Sequence, residues 1–563
     1  MRNIIAVECA STGVNYIQDI IDRNYNPIAL NLKLGTSEGE KEYQKIIEES
    51  SKLIDADFEL INEKETYEET LEMVREYDPI AIVAASEKGV ILATKLANDL
   101  NLPCNPIENI DALTLKDKMQ DKIAEKGLRY IRGRRVKSAE EAIEFYDEEN
   151  LSEVVVKPVY SAGTVGVKLC SNKQEMIDAL EMLSNEVNIY GNDINEVVVQ
   201  ERIKGDEYVI NTVACDGDYR VTTMWKYKKI KTPEGNYIYD YMEVLDKLGV
   251  GEADIVEYAY AVNKALGIKY GPVHGEFMVD DEGPVLIEVN CRVMGGTMKT
   301  EYLDRISGQH ETDSALDSYI NPDKFHYQKI QRYQIYEHGV IKWFIVPRDI
   351  NAKSNPIKYI SSRLKSHYKI EPEKIDDTLF IKTKDFETTG GSVFLVNEDR
   401  YTLENDLNFL RNVEQYAFNL VLNEESDNII TYDENKTAQN MDAILDVLPN
   451  YGSVLVVSDN DNNDREEVFK ISADKLNTLK SKFDCIIVDL NKTLINKKAD
   501  SQAALILNIT DYIKNGGVIF IPPSTYKYLP ESRLGTEVLL TSAGLTLEMP
   551  VNELDGFVLA SKR

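Results

Sequence analysis

The sequence predicts an α/β and α+β protein built from several domains. Three observations carry that expectation. Its 563 residues exceed what one ordinary core organises, so three or four domains are expected. Both ends alternate buried strands with helices, the rhythm of small α/β units. Between them lie paired strands closed by polar and glycine turns, which belong to hairpins.

In order, residues 1–110 read as a parallel α/β unit: "NIIAVE", a helix over "GVNYIQDIIDRNY", then "NPIALNL", "DPIAIVAAS" and the helix "EKGVILATKLANDLNL". Ser11-Thr12-Gly13 sits in its first strand-to-helix loop, where such folds often place ligands. Without a full GxGxxG it reads as a cap with a tight turn. Residues 111–295 hold most of the chemistry, and 296–422 form a mixed α+β stretch. The polar, acidic run opening 423–450 reads as a linker. Residues 451–563 start a second α/β unit with "YGSVLVVSD", "FDCIIVDL" and "GGVIFIPPS".

"HGEFMVDDEGPVLIEVN", His274 to Asn290, reads as two strands around a polar turn. With 280–284 as the loop, Val279 pairs with Val285 and Glu276 faces Glu288. Alternation then puts Glu288, Asn290 and Arg292 on one face, opposite His274 and Glu276. Like charges directly opposite are destabilising in a sheet, and a divalent cation between them reverses that cost. Two carboxylates and an amide carbonyl suit Mg²⁺. A one-residue slip would instead send both glutamates to solvent.

Other stretches are weak singly. "EVVVKPVYSAGTVGVKLC" has a strand ending at Lys157, then a loop with Ser161, Gly163 and Gly166 whose amides can close over phosphate oxygens. It lacks GK[ST], and alone it reads as a glycine hairpin with a surface lysine. In "VVVQERIKGDEYVINTVACDG", Gln200 to Ile203 could offer backbone groups to an adenine edge and Glu207 could accept from ribose hydroxyls. Lys116, on a lysine-rich helix, could reach a phosphate, though a solvated face is the default for such a helix.

Composition bounds the function. Hydrophobic residues are 43% and charged residues 28%, a soluble globular mix. Lys plus Arg is 64 against 96 Asp plus Glu, a net charge of −32. That argues against nonspecific nucleic acid or anionic membrane partners. The six cysteines are scattered with no CxxC and read as reduced cytosolic thiols. No signal peptide or membrane-spanning run is seen, so a cytoplasmic location is expected. Five histidines leave few candidates for histidine-base chemistry.

Taken in order, a helix lysine, Lys-Pro with a glycine flap, a Glu-x-Ile-x-Gly-x-Glu linker and a Glu…Glu-x-Asn-x-Arg hairpin resemble the ATP-grasp superfamily, over residues 1 to about 420. "TTMWKYKK", the "HGEFMVDDEGPVLIEVNCRVMGG" segment and the opening "STG" look most like the ligases that join two free amino acids. The resemblance implies ATP and Mg²⁺ (or Mn²⁺) as cofactors, and small carboxylate and amine substrates joined through an acylphosphate. It implies a homodimer as well. Lys116 and Lys157 match phosphate-contacting lysines, and Ser161 to Gly166 the flap. Gln200, Glu201 and Ile203 match the adenine hinge, and Glu207 the ribose acceptor. Glu276, Glu288 and Asn290 match metal ligands. Arg292 matches the arginine that steadies the transferred phosphoryl group. Gln120 departs where an arginine is usual, which would alter nucleotide contacts modestly. "NCRVMGGT" departs before the glycines, obscuring an acceptor pocket whose candidates are Trp225, Tyr237 to Tyr241 and Met294. The alternatives are a carboxylase-type enzyme, disfavoured by the lack of a biotinyl carrier segment, and a non-catalytic ATP-binding scaffold. Residues 451–563 resemble a methyltransferase-like Rossmann fold whose first loop, "VVSDNDNNDREE", lacks the glycines a methyl donor needs. A degenerate docking or dimerisation domain is expected there.

Overall fold

The structure is a computed structural model describing residues 1–35, 38–52, 54–159, 166–184, 196–231, 237–246, 254–330, 333–346, 348–352, 361, 364–372, 378–386, 388–417, 453–458, 468–490, 493–494, 499–521, 525, 532–548 and 558–562. The chain divides into two compact units, Met1–Val340 with Asp385–Glu387, and Ile341–Lys384 with Thr388–Arg563. The expected linker 423–450 lies outside the described residues, as does the acidic loop 459–467.

The first unit opens with β1 (Asn3–Val7), α1 (Asn15–Asp22), β2 (Asn26–Asn31), α2 (Glu38–Ser51), β3 (Glu59–Asn62), α3 (Tyr67–Glu76), β4 (Pro79–Ala84) and α4 (Gly89–Asp99). All four strands are parallel, in the order β3-β2-β1-β4. Ile4, Ile5, Ala6 and Val7 are all buried, as the unbroken apolar run of a two-sided parallel strand requires. Two helices follow, α5 (Ile110–Thr114) and α6 (Lys116–Glu125).

Next come β5 (Gly133–Val136), α7 (Ala139–Glu148), β6 (Val154–Pro158), β7 (Lys168–Cys170), α8 (Lys173–Leu183) and β8 (Val197–Glu201), whose strands form an antiparallel sheet ordered β5-β8-β6-β7. Ser138 and Asn172 cap α7 and α8 by accepting from the Glu141 and Glu175 amides. The larger antiparallel layer is β13-β12-β9-β10-β11, built from β9 (Asp206–Cys215), β10 (Asp218–Lys231), β11 (Tyr237–Val244), β12 (Tyr270–Asp280) and β13 (Gly283–Asn290). α9 (Asp254–Leu266) packs against it through Ile255, Ala259, Val262 and Leu266, sharing a core with Met119 and Ile123 of α6. α10 (Thr300–Ser307), α11 (Glu311–Ile320) and α12 (Pro322–Ile330) complete the unit.

The hairpin register differs from the expected one at its turn and agrees at its glutamates. Val279 pairs with Pro284, not Val285, and the turn is the two residues Asp281-Glu282. A bulge after Glu276 pairs Phe277 with Leu286, leaves Ile287 as the extra residue, and returns Glu276 to Glu288. The shorter turn is possible because Gly283 takes φ 100° and Arg129 clamps both oxygens of Asp280 at 2.7 Å.

The second unit contains β14 (His338–Trp343), β15 (Ile350–Ala352), β16 (His367–Glu371), β17 (Thr378–Phe380), β18 (Ser392–Asn397) and α13 (Arg400–Ala417). It continues with β19 (Val454–Ser458), β20 (Val468–Ile471), β21 (Phe483–Asp489), α14 (Ala499–Thr510), β22 (Ile513–Ile521), α15 (Ser532–Ser542), β23 (Thr546–Glu548) and β24 (Val558–Ser561). The last six strands make one sheet, β20-β19-β21-β22-β24-β23, in which β24 runs antiparallel to both neighbours. α13 packs on α15.

Candidate active site

The structure brings the scattered polar residues of the first unit into one cluster. α6 begins at Lys116, and its Met119 and Ile123 are buried against the core that holds β13. That anchoring sets Lys116 Nζ 2.7 Å from Glu288 Oε2, both side chains only 14–15% exposed. Lys157, next to last in β6, is buried, and Lys116, Glu288, Glu276 and Glu207 act on its charge.

The electrostatics follow from that arrangement. Burial pushes the Lys157 ammonium down to about 8, helped by Lys116 and opposed by the three glutamates. Burial acts the same way on Lys116, but Glu288, then Glu87 and Glu276, outweigh it and lift Lys116 above the usual lysine value. Burial alone would raise Glu288; Lys116 and Lys157 hold it well below the usual carboxylate range instead. The opposite shifts of Lys116 and Glu288 describe one formed ion pair. Glu207 is raised by burial, with Glu276 and Glu288 adding, although Lys229 Nζ donates to both its oxygens at 2.9 and 2.7 Å.

Glu276 and Glu288 are cross-strand partners, and His274 Nε2 lies 3.2 Å from Glu276 Oε1. Asn290 Nδ2 donates to Glu288 Oε1 at 3.3 Å. With the amide turned over, its nitrogen reaches both Glu87 oxygens at 2.9 Å and its carbonyl takes the Glu288 side. The donors are then all oxygen, two carboxylates and a carbonyl, which fits Mg²⁺ with substrate phosphates completing the shell. No group of three or more His, Cys, Asp and Glu placed to hold a metal occurs among the described residues. Arg292 Nε donates to Glu87 Oε2 at 3.0 Å, and its Nη1 to the Val293 carbonyl.

The expected adenine hinge is less uniform. Gln200 is buried in β8 with Nε2 unpartnered among the described residues. The Glu201 carboxylate is held by Arg132 through Nε and Nη2 at 2.9 and 2.6 Å and by the Arg132 amide. The amides of Glu201 and Arg202 are spent on Arg132 O and Glu153 O. Glu201 thus braces β8, and Ile203 lies half-buried between β8 and β9. Ser161 and Gly163 lie outside the described residues. Gly166 has φ 75°, and a Cβ there would sit 2.9 Å from Pro158 Cγ, so the strand after the loop requires glycine.

Gln120, where an arginine is usual in the family the chain resembles, has its amide engaged by protein groups. It is buried, donates to the Leu286 carbonyl and accepts from the Ile131 amide, both at 2.9 Å, which fastens α6 to β13. Trp225 is fully buried core rather than pocket. Tyr239 meets Tyr227 edge-on at 4.9 Å, with Lys229 Nζ 4.4 Å above its ring. Met294 is buried, and its amide donates to Glu311 Oε2. The "STG" hydroxyls do not cap a helix: Ser11 Oγ and Thr12 Oγ1 accept from the Thr297 and Met298 amides at 3.0 and 2.9 Å.

Sequence reasoning missed Glu87 and Lys229. Glu87 follows β4, at the carboxyl end of a parallel strand, the same position that drew attention to Ser11. Lys229 lies in the lysine-rich end of β10, and only the fold sets it against Glu207.

Residues 151–301 match the ATP-grasp domain family. The match contains Lys157, Glu207 and the whole Glu276–Arg292 hairpin. Among curated proteins the chain is similar to dapdiamide A synthase of Enterobacter agglomerans, 28% identical over 365 residues, covering 64% of this chain and 84% of that protein. It is also similar to phosphoribosylamine–glycine ligase of Methanopyrus kandleri, 30% identical over 177 residues, 27% of this chain and 37% of that one. Among solved structures, L-amino acid ligase from Bacillus licheniformis superposes with a TM-score of 0.57 at 16% identity, covering 73% of this chain and 97% of that one. The fold is therefore that of ATP-grasp proteins. No described helix is long and apolar enough to cross a membrane.

Proposed function

We propose that the chain is an ATP-dependent carboxylate–amine ligase acting on amino acids or close analogues through an acylphosphate. It is an enzyme, an ATP-grasp ligase that forms C–N bonds. The observation that carries the rest is the convergence of buried Lys116 and Lys157 with Glu276, Glu288, Asn290 and Arg292. Phosphoryl transfer needs alignment and charge neutralisation more than a nucleophilic side chain, and this cluster supplies both.

Without nucleotide, the lysines and glutamates neutralise one another. Triphosphate entering the site takes over as partner for Lys116 and Lys157, which frees Glu288. Glu276, Glu288 and Asn290 would hold Mg²⁺, which supplies neutralisation of phosphate charge. Glu207 and the backbone at Ile203 hold ribose and adenine. A substrate carboxylate oxygen then attacks the γ-phosphorus, the bond to the β-phosphate oxygen breaks and ADP leaves. Arg292 donates to the oxygens that gain charge. An amine attacks the acyl carbon, the C–O bond to phosphate breaks, and the amine loses a proton as phosphate departs. Excluding water keeps the acylphosphate from hydrolysis.

Residues 451–563 serve docking or dimerisation and do not transfer methyl groups. A parallel sheet closed by the reversed β24 supports a methyltransferase-like descent, and the chain works as a homodimer in the cytoplasm. The test of the ligase is incubation with Mg²⁺-ATP and pooled amino acids. ADP, phosphate and new condensed masses in equal amounts are expected, whereas AMP and pyrophosphate would sink the proposal.

A further inference from the structure

The first sheet changes winding direction between β1 and β4. From β1 the chain crosses to β2 on one side, and the return from β3 places β4 on the other. Open parallel sheets bind ligands in the crevice outside the carboxyl ends of their strands at such a point. Here the crevice lies between the loops after β1 and β4, locked together where a Cβ on Gly13 would come 1.8 Å from Ala85 O. Glu8 and Ser11 in the first loop take φ of 62° and 53°. Among described residues other than Gly, Asn and Asp, only these two and Thr297 do so, and such strained conformations cluster at active sites. Glu8 is 1% exposed with Oε1 unpartnered, and Ser86 Oγ is buried without a partner among the described residues.

The same loop carries Glu87, whose carboxylate meets Arg292 at 3.0 Å. Just beyond Arg292, added Cβ atoms on Gly295 and Gly296 would meet nothing within 4 Å, so the chain borders open space there. A guanidinium beside a carboxylate at the edge of that space matches the two ends of an amino-acid zwitterion. A carboxylate activated beside Arg292 carries its α-ammonium one carbon away, within reach of Glu87. Ionised acceptors are the strong partners for an ammonium. A carboxylate offers about four acceptor positions. Arg292 takes one and the turned Asn290 amide two, which leaves capacity for a further donor.

We propose that the crevice at the carboxyl ends of β1 and β4 is the subsite for the α-ammonium group of the acyl-donating amino acid, with Glu87 as counter-ion and Ser86 as a second acceptor. This rests on the ligase reading above and narrows it, since a simple carboxylic acid lacks the group the subsite binds.

The test uses the full chain, Mg²⁺-ATP, hydroxylamine as the common amine, and the amino acids each paired with its des-amino acid, phenylalanine with 3-phenylpropanoate for example. ADP release is measured. The wild type should favour amino acids by roughly a hundredfold in kcat/KM, the scale of one buried charge pair. Glu87→Gln should raise KM for the amino acid by a similar factor and bring its kcat/KM down to that of the des-amino acid, beyond any kcat loss common to both acids that arises through Arg292. Ser86→Ala is the second variant, expected to raise the same KM about tenfold, the scale of one hydrogen bond. Equal use of both acids by the wild type overturns the subsite and leaves the ligase standing. So does a Glu87→Gln enzyme whose kcat falls equally for both acids at constant KM, the mark of a residue that only positions Arg292. No ADP release with any acid overturns the ligase and the subsite together.

Discussion

Lys116, mostly buried, and Lys157, buried, share one cluster, yet one is raised and the other pushed down to about 8. The difference is the direct pairing of Lys116 with Glu288. Two results follow. Glu288→Ala leaves two buried cations facing each other, so it should cost about 3–5 kcal/mol in urea unfolding, the usual loss when one partner of a buried pair is removed. On sequence alone the pair reads as two repelling glutamates; Lys116, invisible as a neighbour until α6 is placed, turns Glu288 into a stabilising partner. Turnover of Glu288→Gln should also fall at least about a hundredfold, and Arg292→Ala should lower kcat on the same scale, that of one lost transition-state donor. Lys157 must carry its proton to attract phosphate. ATP affinity of the free protein should therefore hold below its pKa and fall as pH rises through about 8. Calorimetric titration between pH 7 and 9 checks this, and a flat profile would contradict it.

At the scale of elements, two devices hold the site's walls in place. The two-residue turn after β12 depends on Gly283 at φ 100°, with open space where a Cβ would be. Gly283→Ala should thus cost about 1–2 kcal/mol through backbone strain alone, read as a lowered melting temperature. His310, before α11, donates from its two ring nitrogens to Asp19 Oδ1 of α1 (3.0 Å) and Asp304 Oδ1 of α10 (2.8 Å), tying three helices. Burial works against its charge, but the two aspartates outweigh it and raise it from 6.5 to about 10. A raised folded-state pKa stabilises fully below the unfolded value and fades as pH climbs through the folded one. The melting-temperature gap between wild type and His310→Gln should be widest just below about pH 6.5 and close toward about pH 10. A gap that grows with pH would contradict the assignment. The hairpin was legible because periodicity and turn chemistry are local. Its bulge was not, because Arg129 and Asp280, which set the turn, are distant in sequence.

For the whole molecule, the ordered motifs exposed the ATP-grasp domain, whereas Glu87 stayed hidden because a lone glutamate after a strand has no local signature. α13 and α15, which lie on either side of the polar run at 423, pack on each other within one unit. Ending the chain at Asn450 should therefore expose the α13 face and lower solubility or oligomeric state, read by sedimentation, while activity per folded site persists. The central claim is the acylphosphate, and its oxygen can be traced. With amino acids labelled in both carboxylate oxygens by ¹⁸O, Mg²⁺-ATP and unlabelled water, the released phosphate is analysed by mass spectrometry. One ¹⁸O per phosphate, in step with ADP and condensed product, is the result expected. Unlabelled phosphate, or label found in AMP, would contradict it.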